Sequence, residues 1–135
     1  VLDALARVGA DWVDDLPEGL DTVVGRLGTR LPPARAQQVA LARALLADPP
    51  VIILDEATAE AGSSGAAVLD RPATEVVTGR TALVVAHRLS QVAMADEVAV
   101  MDGGRIVEVG SPEQLRCGAG RFAQLWQMWS NQRRV

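Results

Sequence analysis

The chain has 135 residues, 49% hydrophobic and 22% charged, a composition that excludes intrinsic disorder and allows one domain. All 13 basic residues are arginines, set against 17 acidic ones, and a net charge of −4 leaves no basic excess for nucleic acid or an anionic membrane surface. The one cysteine, Cys117, forms no internal disulfide and fits a reducing compartment, and no apolar run approaches the ~18 residues of a membrane span.

Leu2 to Val8 has helical spacing and Gly9 is a stop signal. Asp11 opens a second short helix through Leu16, which Pro17 and Gly19 end. Leu20 to Leu31 reads as loop with an extended piece at Thr22–Val24. The clearest helix runs from about Pro33 to Ala47, its first turn tolerating proline because that N–H has no intrahelical partner. Apolar residues cover most of its circumference, so the expectation is burial all round. Asp48-Pro49-Pro50 stops it, since a residue before proline avoids helical angles.

Val51-Ile52-Ile53-Leu54 and Thr81–Ala86 are unbroken apolar runs, the pattern of parallel strands covered on both faces. A crossover helix over Ser63–Val77 makes them a right-handed βαβ unit, with a kink or break expected at Pro72. Leu89–Ala95 is a short helix. Glu97–Met101 and Arg105–Val109 flank Asp102-Gly103-Gly104, a hairpin turn because glycine accepts positive φ. Ser111 caps a helix with Pro112 in its first turn, and a last helix from about Arg121 to Asn131 carries Phe122, Leu125, Trp126 and Trp129. Trp126 and Trp129 read as packing residues, Cys117 as a plain helix residue, and Arg133 and Arg134 as a solvated end.

Asp55 and Glu56 stand at the carboxyl end of the first apolar strand, the edge at which open α/β sheets bind ligands. There an Asp can hold Mg²⁺ through its water shell, and an adjacent Glu can orient or deprotonate an attacking water. The same pattern also describes a strand running out into a polar turn. His87, the single histidine, follows the second strand and so reaches the same edge, where an imidazole can hydrogen-bond a γ-phosphate. The alternative is a solvent-exposed strand-end histidine. A phosphate-binding loop ending in Gly-Lys-Ser/Thr is absent, because the chain contains no lysine.

With these residues in view, the chain resembles the C-terminal half of the nucleotide-binding domain of an ABC transporter of exporter type. VIILDEAT is similar to the Walker B strand with its catalytic Glu, AHRLS to the switch-histidine loop, and LARALLADPP to the helix between signature and Walker B. LPEGLDTVVG resembles the stretch before the signature, and DGGRIVEVGSPEQL the closing hairpin and helix. The resemblance implies a partial RecA-like P-loop NTPase fold of class α/β, with a parallel sheet, flanking helices, a signature helix segment, a hairpin and C-terminal helices. Residues 1–47 would be the helical and signature segment, 48–110 would run from Walker B to the closing hairpin, and 111–135 would be the C-terminal helices. The cofactors implied are ATP and Mg²⁺. Asp55 would position the metal through water, and Glu56 and His87 would be catalytic. The partners implied are an ABC transmembrane domain and a second nucleotide-binding domain, with no nucleic acid. The place implied is peripheral, on the cytoplasmic face of the plasma membrane. Walker A, the adenine-stacking aromatic and the Q-loop would lie before Val1.

Several departures carry information. The family signature LSGGQ is matched by Leu31-Pro32-Pro33-Ala34-Arg35, which lacks the Ser hydroxyl and, at both prolines, the backbone N–H. In the family these groups touch the γ-phosphate of ATP held by the opposite subunit; Arg35 brings a charge that could itself meet a phosphate. The SALD motif is matched by Ala59-Glu60-Ala61-Gly62, and the GERG stretch, which in the family meets the membrane domain, by Gly25-Arg26-Leu27-Gly28. The expectation is an ATP-binding part of an exporter, inactive alone for want of a P-loop. The alternative is a non-catalytic or decayed domain fragment acting at most as an interaction module. A soluble ABC ATPase of DNA repair or translation is a weaker rival.

Overall fold

The computed structural model describes residues 1–55, 62–86 and 88–131, and forms two compact units, Val1–Val85 and Ala86–Val135. The first is α/β. Helix α1 (Leu2–Arg7) leads into two 3₁₀ turns, Asp11–Asp15 and Gly19–Asp21, then α2 (Pro33–Ala47), β1 (Val51–Leu54), α3 (Gly62–Val77) and β2 (Thr81–Val84).

β1 and β2 pair in parallel, with Val51 opposite Thr81, Ile53 opposite Leu83 and Leu54 opposite Val84. The amide of Val85 donates to the Leu54 carbonyl at 2.9 Å, carrying the pairing one step past β2. Period-two alternation then divides β1: Ile52 and Leu54 are buried while Val51 and Ile53 are exposed. The expected burial of both strand faces is therefore corrected. One face of the two-stranded sheet packs on the helices, and the other carries exposed Ile53 and Leu83, because α1, α2 and α3 supply one apolar layer and, among the described residues of this unit, no second layer covers the other face. Strand β2 also ends at Val84, short of the expected Ala86.

The core joins Ala4 and Val8 of the α1 segment, Val13, Leu41 and Leu45 of α2, Ile52 and Leu54 of β1, and Leu69, Ala73 and Val76 of α3. Burial all round α2 is likewise corrected. Gln38, Leu41, Ala42 and Leu45 face inward while Leu46 is exposed, the one-sided burial of a helix lying on a single layer. Asp48 takes left-handed angles (φ 43°) ahead of Pro49, closing α2 with its amide on the Ala44 carbonyl. Arg80, at the mouth of β2, reaches back to the Asp48 carboxylate (2.5 Å) and to the Val76 carbonyl (2.6 Å), tying the ends of α2 and α3 together.

Helix α3 continues through Pro72, so the expected break does not occur. A proline there removes the bond to the carbonyl four residues back, but Leu69, Pro72, Ala73 and Val76 are all buried, and packing of that face holds the helix. The Arg7–Glu75 ion pair, 3.2 Å, adds an exposed link from α1 to α3.

The second unit holds α4 (Leu89–Val92), shorter than expected, then β3 (Val98–Asp102), β4 (Arg105–Gly110), α5 (Pro112–Cys117) and α6 (Arg121–Asn131). β3 and β4 form an antiparallel hairpin in which Asp102 faces Arg105 across Gly103 and Gly104. Both glycines have positive φ, 56° and 75°, as a type I′ turn requires. A bulge between Val100 and Met101 shifts the register. Ser111 and Gln114 form a reciprocal capping box at the start of α5. Val92, Val100 and Phe122 make the core here, with Leu115, Trp126 and Trp129 packed against it, so the tryptophans do serve packing.

Candidate functional site

Asp55 follows β1 directly and is exposed at the carboxyl edge of the parallel pair. The register places it beside Val85. The edge position expected for the carboxylate is thus occupied by Asp55. Glu56 and His87 lie outside the described residues, as do 59–61 of the expected SALD match and Arg133 and Arg134 at the end.

Among the described residues no group of three or more His, Cys, Asp or Glu side chains is placed to hold a metal ion. One exposed carboxylate suits an outer-sphere contact to a hydrated Mg²⁺, which keeps most of its waters; it cannot form an inner-sphere cage by itself.

The signature match sits at the start of α2. Pro32 is the residue before the helix and Pro33 its first residue; both are exposed, while Leu31, Ala34 and Arg35 are half-buried. An α-helix leaves four N-terminal amide donors unpaired, and these make a helix start attractive to anions. Here the two prolines delete two of the four. Ala34 and Arg35 keep their N–H groups, and the Ala36 amide already bonds the Pro32 carbonyl at 3.0 Å. The start of α2 has no side-chain cap.

Arg35, in the first turn of α2, stacks on an aromatic ring. Its guanidinium lies 4.8 Å from the centre of the Trp12 ring, a cation–π stack. Trp12 in turn donates its indole N–H to Gln38 Oε1 at 2.8 Å, and Gln38 Nε2 donates to the carbonyls of Val8 (3.0 Å) and Gly9 (2.8 Å). One buried glutamine therefore fastens the first 3₁₀ turn and the α1 exit to the first turns of α2. Reasoning on sequence missed this anchor. Its one available signal was a polar residue on the inward stripe of α2, three positions before Leu41.

Comparison with known proteins adds to this geometry. No family model matches the chain. It is 41% identical over 132 residues to an ATP-dependent lipid A-core flippase of Alkalilimnicola ehrlichii, covering 96% of this chain and 22% of that protein. It is 43% identical over 122 residues to the flippase of the same name from Shewanella frigidimarina, covering 90% of this chain and 20% of the relative. For the flippase of Pseudomonas aeruginosa the identity is 44% over 125 residues, covering 93% and 21%. The chain is similar to one segment of these flippases. It spans about a fifth of the length of the curated relatives it matches. Among the described residues no helix is long and apolar enough to cross a membrane.

Proposed function

We propose that the chain is the Walker B-bearing part of the ATP-binding domain of an ABC exporter. The observation that carries the reading is Asp55 at the carboxyl edge of a parallel β1–β2 pair, in a chain similar along nearly its whole length to ATP-dependent flippases. In this reading the first unit is a portion of a RecA-like P-loop sheet. Residues 1–47 carry the signature segment, 48–110 run from Walker B to the closing hairpin, and 111–135 form the C-terminal helices.

Asp55 would hold a hydrated Mg²⁺ through water, and the metal when bound would neutralise charge on the phosphates. Glu56 would orient and deprotonate the attacking water, and His87 would donate a hydrogen bond toward the γ-phosphate side. The assembly would pair this domain with a second nucleotide-binding domain and a membrane domain. It would sit on the cytoplasmic face of the plasma membrane and move a lipid of the class named for the relatives.

A second reading is supported by the start of α2. Two deleted N–H donors and an arginine stacked on Trp12 make a poor surface for a γ-phosphate. They suit a domain whose signature side is catalytically silent, either one half of an asymmetric pair or an interaction module. The test assembles the chain with a P-loop half and measures phosphate release. Turnover that Glu56→Gln abolishes supports the first reading. Turnover indifferent to Glu56→Gln overturns it. The chain alone releases no phosphate, since no lysine is present to cradle the β- and γ-phosphates.

A further inference from the structure

No tight turn fixes the register of β1 on β2, because the chain runs through α3 between them. The hydrophobic pattern does not fix it either. Register is strongly specified where apolar and polar residues alternate. Val51-Ile52-Ile53-Leu54 and Ala82-Leu83-Val84 are apolar at every step, so a slip by one residue exchanges one apolar side chain for another at each inward position. The same slip moves Asp55 by about 3.3 Å along the edge and turns it to the opposite face.

A register-specific contact lies at the entry end of the pair. Asp48 stands three residues ahead of Val51, and Arg80 directly ahead of Thr81. The Arg80 guanidinium donates to the Asp48 carboxylate at 2.5 Å and to the Val76 carbonyl at 2.6 Å. Beside it the Thr81 amide donates to the Pro50 carbonyl at 3.2 Å, the first rung of the pair. Pro49 and Pro50 make a stiff arm, since their rings lock φ, and the position of Asp48 is passed on to Val51. The Arg80 side chain is 12% exposed and its Nε has no acceptor among the described residues, whereas the Asp48 side chain is 79% exposed. An exposed carboxylate adds little to global stability, and an unpaired buried N–H subtracts from it. The pair matters by where it holds the strands more than by how far it stabilises the fold.

We propose that Asp48 and Arg80 are positioning residues that set the β1–β2 register and so hold Asp55 level with Val85 at the carboxyl edge. That Asp55 then serves a hydrated Mg²⁺ rests on the exporter reading; the register does not.

The test is amide hydrogen exchange in the 135-residue chain, followed by NMR at Val85, whose amide closes the far end of the pair on the Leu54 carbonyl. The Leu41 amide inside α2 is the internal reference. Arg80→Gln and Asp48→Asn each remove one charge, and Asn tolerates the left-handed angles of position 48. Each variant should speed exchange at Val85 at least about fivefold relative to Leu41, and the double variant should be no faster than either single one. Raising NaCl to about 1 M should speed Val85 in the native chain and leave the double variant unchanged, because an exposed pair is screened. The salt arm needs no variant, so a substitution that fails to fold leaves the test standing. Val85 and Leu41 speeding up in step would make the pair a plain tie between α2 and α3 and overturns the proposal, as do two single effects that multiply in the double variant. In the assembly with a P-loop half, Arg80→Gln should lower turnover at least about fivefold at an ATP KM within about twofold of native, and unchanged turnover overturns the positioning of Asp55. A native assembly that never turns over counts against the exporter reading, and exchange at Val85 then decides the register by itself.

Discussion

Trp12 donates its indole N–H to Oε1 of Gln38 at 2.8 Å, and Gln38 is one of the few polar side chains in the interior, 3% exposed. A buried amide is costly unless its donors and acceptor are all paired. Here both N–H groups of the amide and its oxygen have protein partners. The pair fixes where the 3₁₀ turn of Trp12 lies against α2, and so fixes the ring on which Arg35 stacks.

Gln38→Ala should therefore destabilise the chain by about 2–4 kcal/mol, since it strands the Val8 and Gly9 carbonyls and the Trp12 indole at once. Trp12→Phe keeps most of the apolar contact and removes one donor, and should cost about 1–3 kcal/mol. Urea unfolding of both variants checks the order. A Gln38→Ala change below that of Trp12→Phe would mean that the network is an ornament of packing.

The second unit contains a comparable anchor. The Glu108 carboxylate, on β4, accepts from the amides of Arg121 and Phe122 at the start of α6, and Arg121 also pairs with Asp102 at 3.2 Å. An added Cβ at Gly120 would sit 2.5 Å from Glu108 Oε2. Glu108→Ala should cost about 1–2 kcal/mol as a lost helix cap. Gly120→Ala should be destabilising in the native background, because it pushes the carboxylate off the helix start. In the Glu108→Ala background it should be neutral or stabilising by up to about 1 kcal/mol, through the smaller entropy of the unfolded chain. The double-mutant cycle reads this coupling, and strict additivity would refute it.

Elements with a strong period or a strong stop were legible in the sequence. Proline in a first turn and Asp48-Pro49-Pro50 bounded α2, and the two β-branched runs gave β1 and β2 with the expected parallel pairing. Gly103-Gly104 gave the hairpin turn. Tertiary context was not legible. The run Val51–Leu54 carries no mark saying that Ile52 meets a helix layer while Ile53 does not, because an all-apolar strand has the same sequence whether one face or both are covered. At Pro72 local cost argued for a kink or a break, and the helix runs on without a break because the face around the proline is buried. At the candidate site Asp55 stands where the edge argument put it, whereas the link from Arg35 through Trp12 to Gln38 spans 26 residues between its hydrogen-bonded ends and leaves no periodic trace.

The open sheet face leads to a solubility prediction. Ile53 and Leu83 are cross-strand neighbours, 66% and 62% exposed, on a pair of strands that no further strand joins among the described residues. Such a surface is prone to edge pairing with other chains. Ile53→Thr with Leu83→Thr keeps β-branched or strand-compatible residues, and should change stability by no more than about 0.5 kcal/mol at each exposed site. Aggregation on heating, followed by light scattering, should fall clearly relative to the native chain. Unchanged scattering would locate the aggregating surface elsewhere.

The last prediction concerns Pro32 and Pro33 in a dimer assembled with P-loop halves, and it rests on the proposed exporter reading. In that reading Glu56 and His87 act on the ATP held by their own subunit, while the start of α2 faces the ATP of the partner. Two amide donors and one hydroxyl are missing there, and each donor lost to a charged phosphate should cost about 1.5–3 kcal/mol. Pro32→Ser, Pro33→Gly and Ala34→Gly together restore them, so the partner's site should gain ATP affinity or turnover. Arg35 stays stacked on Trp12 and should not replace them, so Arg35→Ala should leave that site unchanged. Glu56→Gln should silence only the subunit's own site. Site-resolved ATP occlusion and phosphate release in a mixed dimer separate these effects. A triple repair without consequence, together with equal silencing of both sites by Glu56→Gln, would show that the two groups of residues do not serve separate nucleotides.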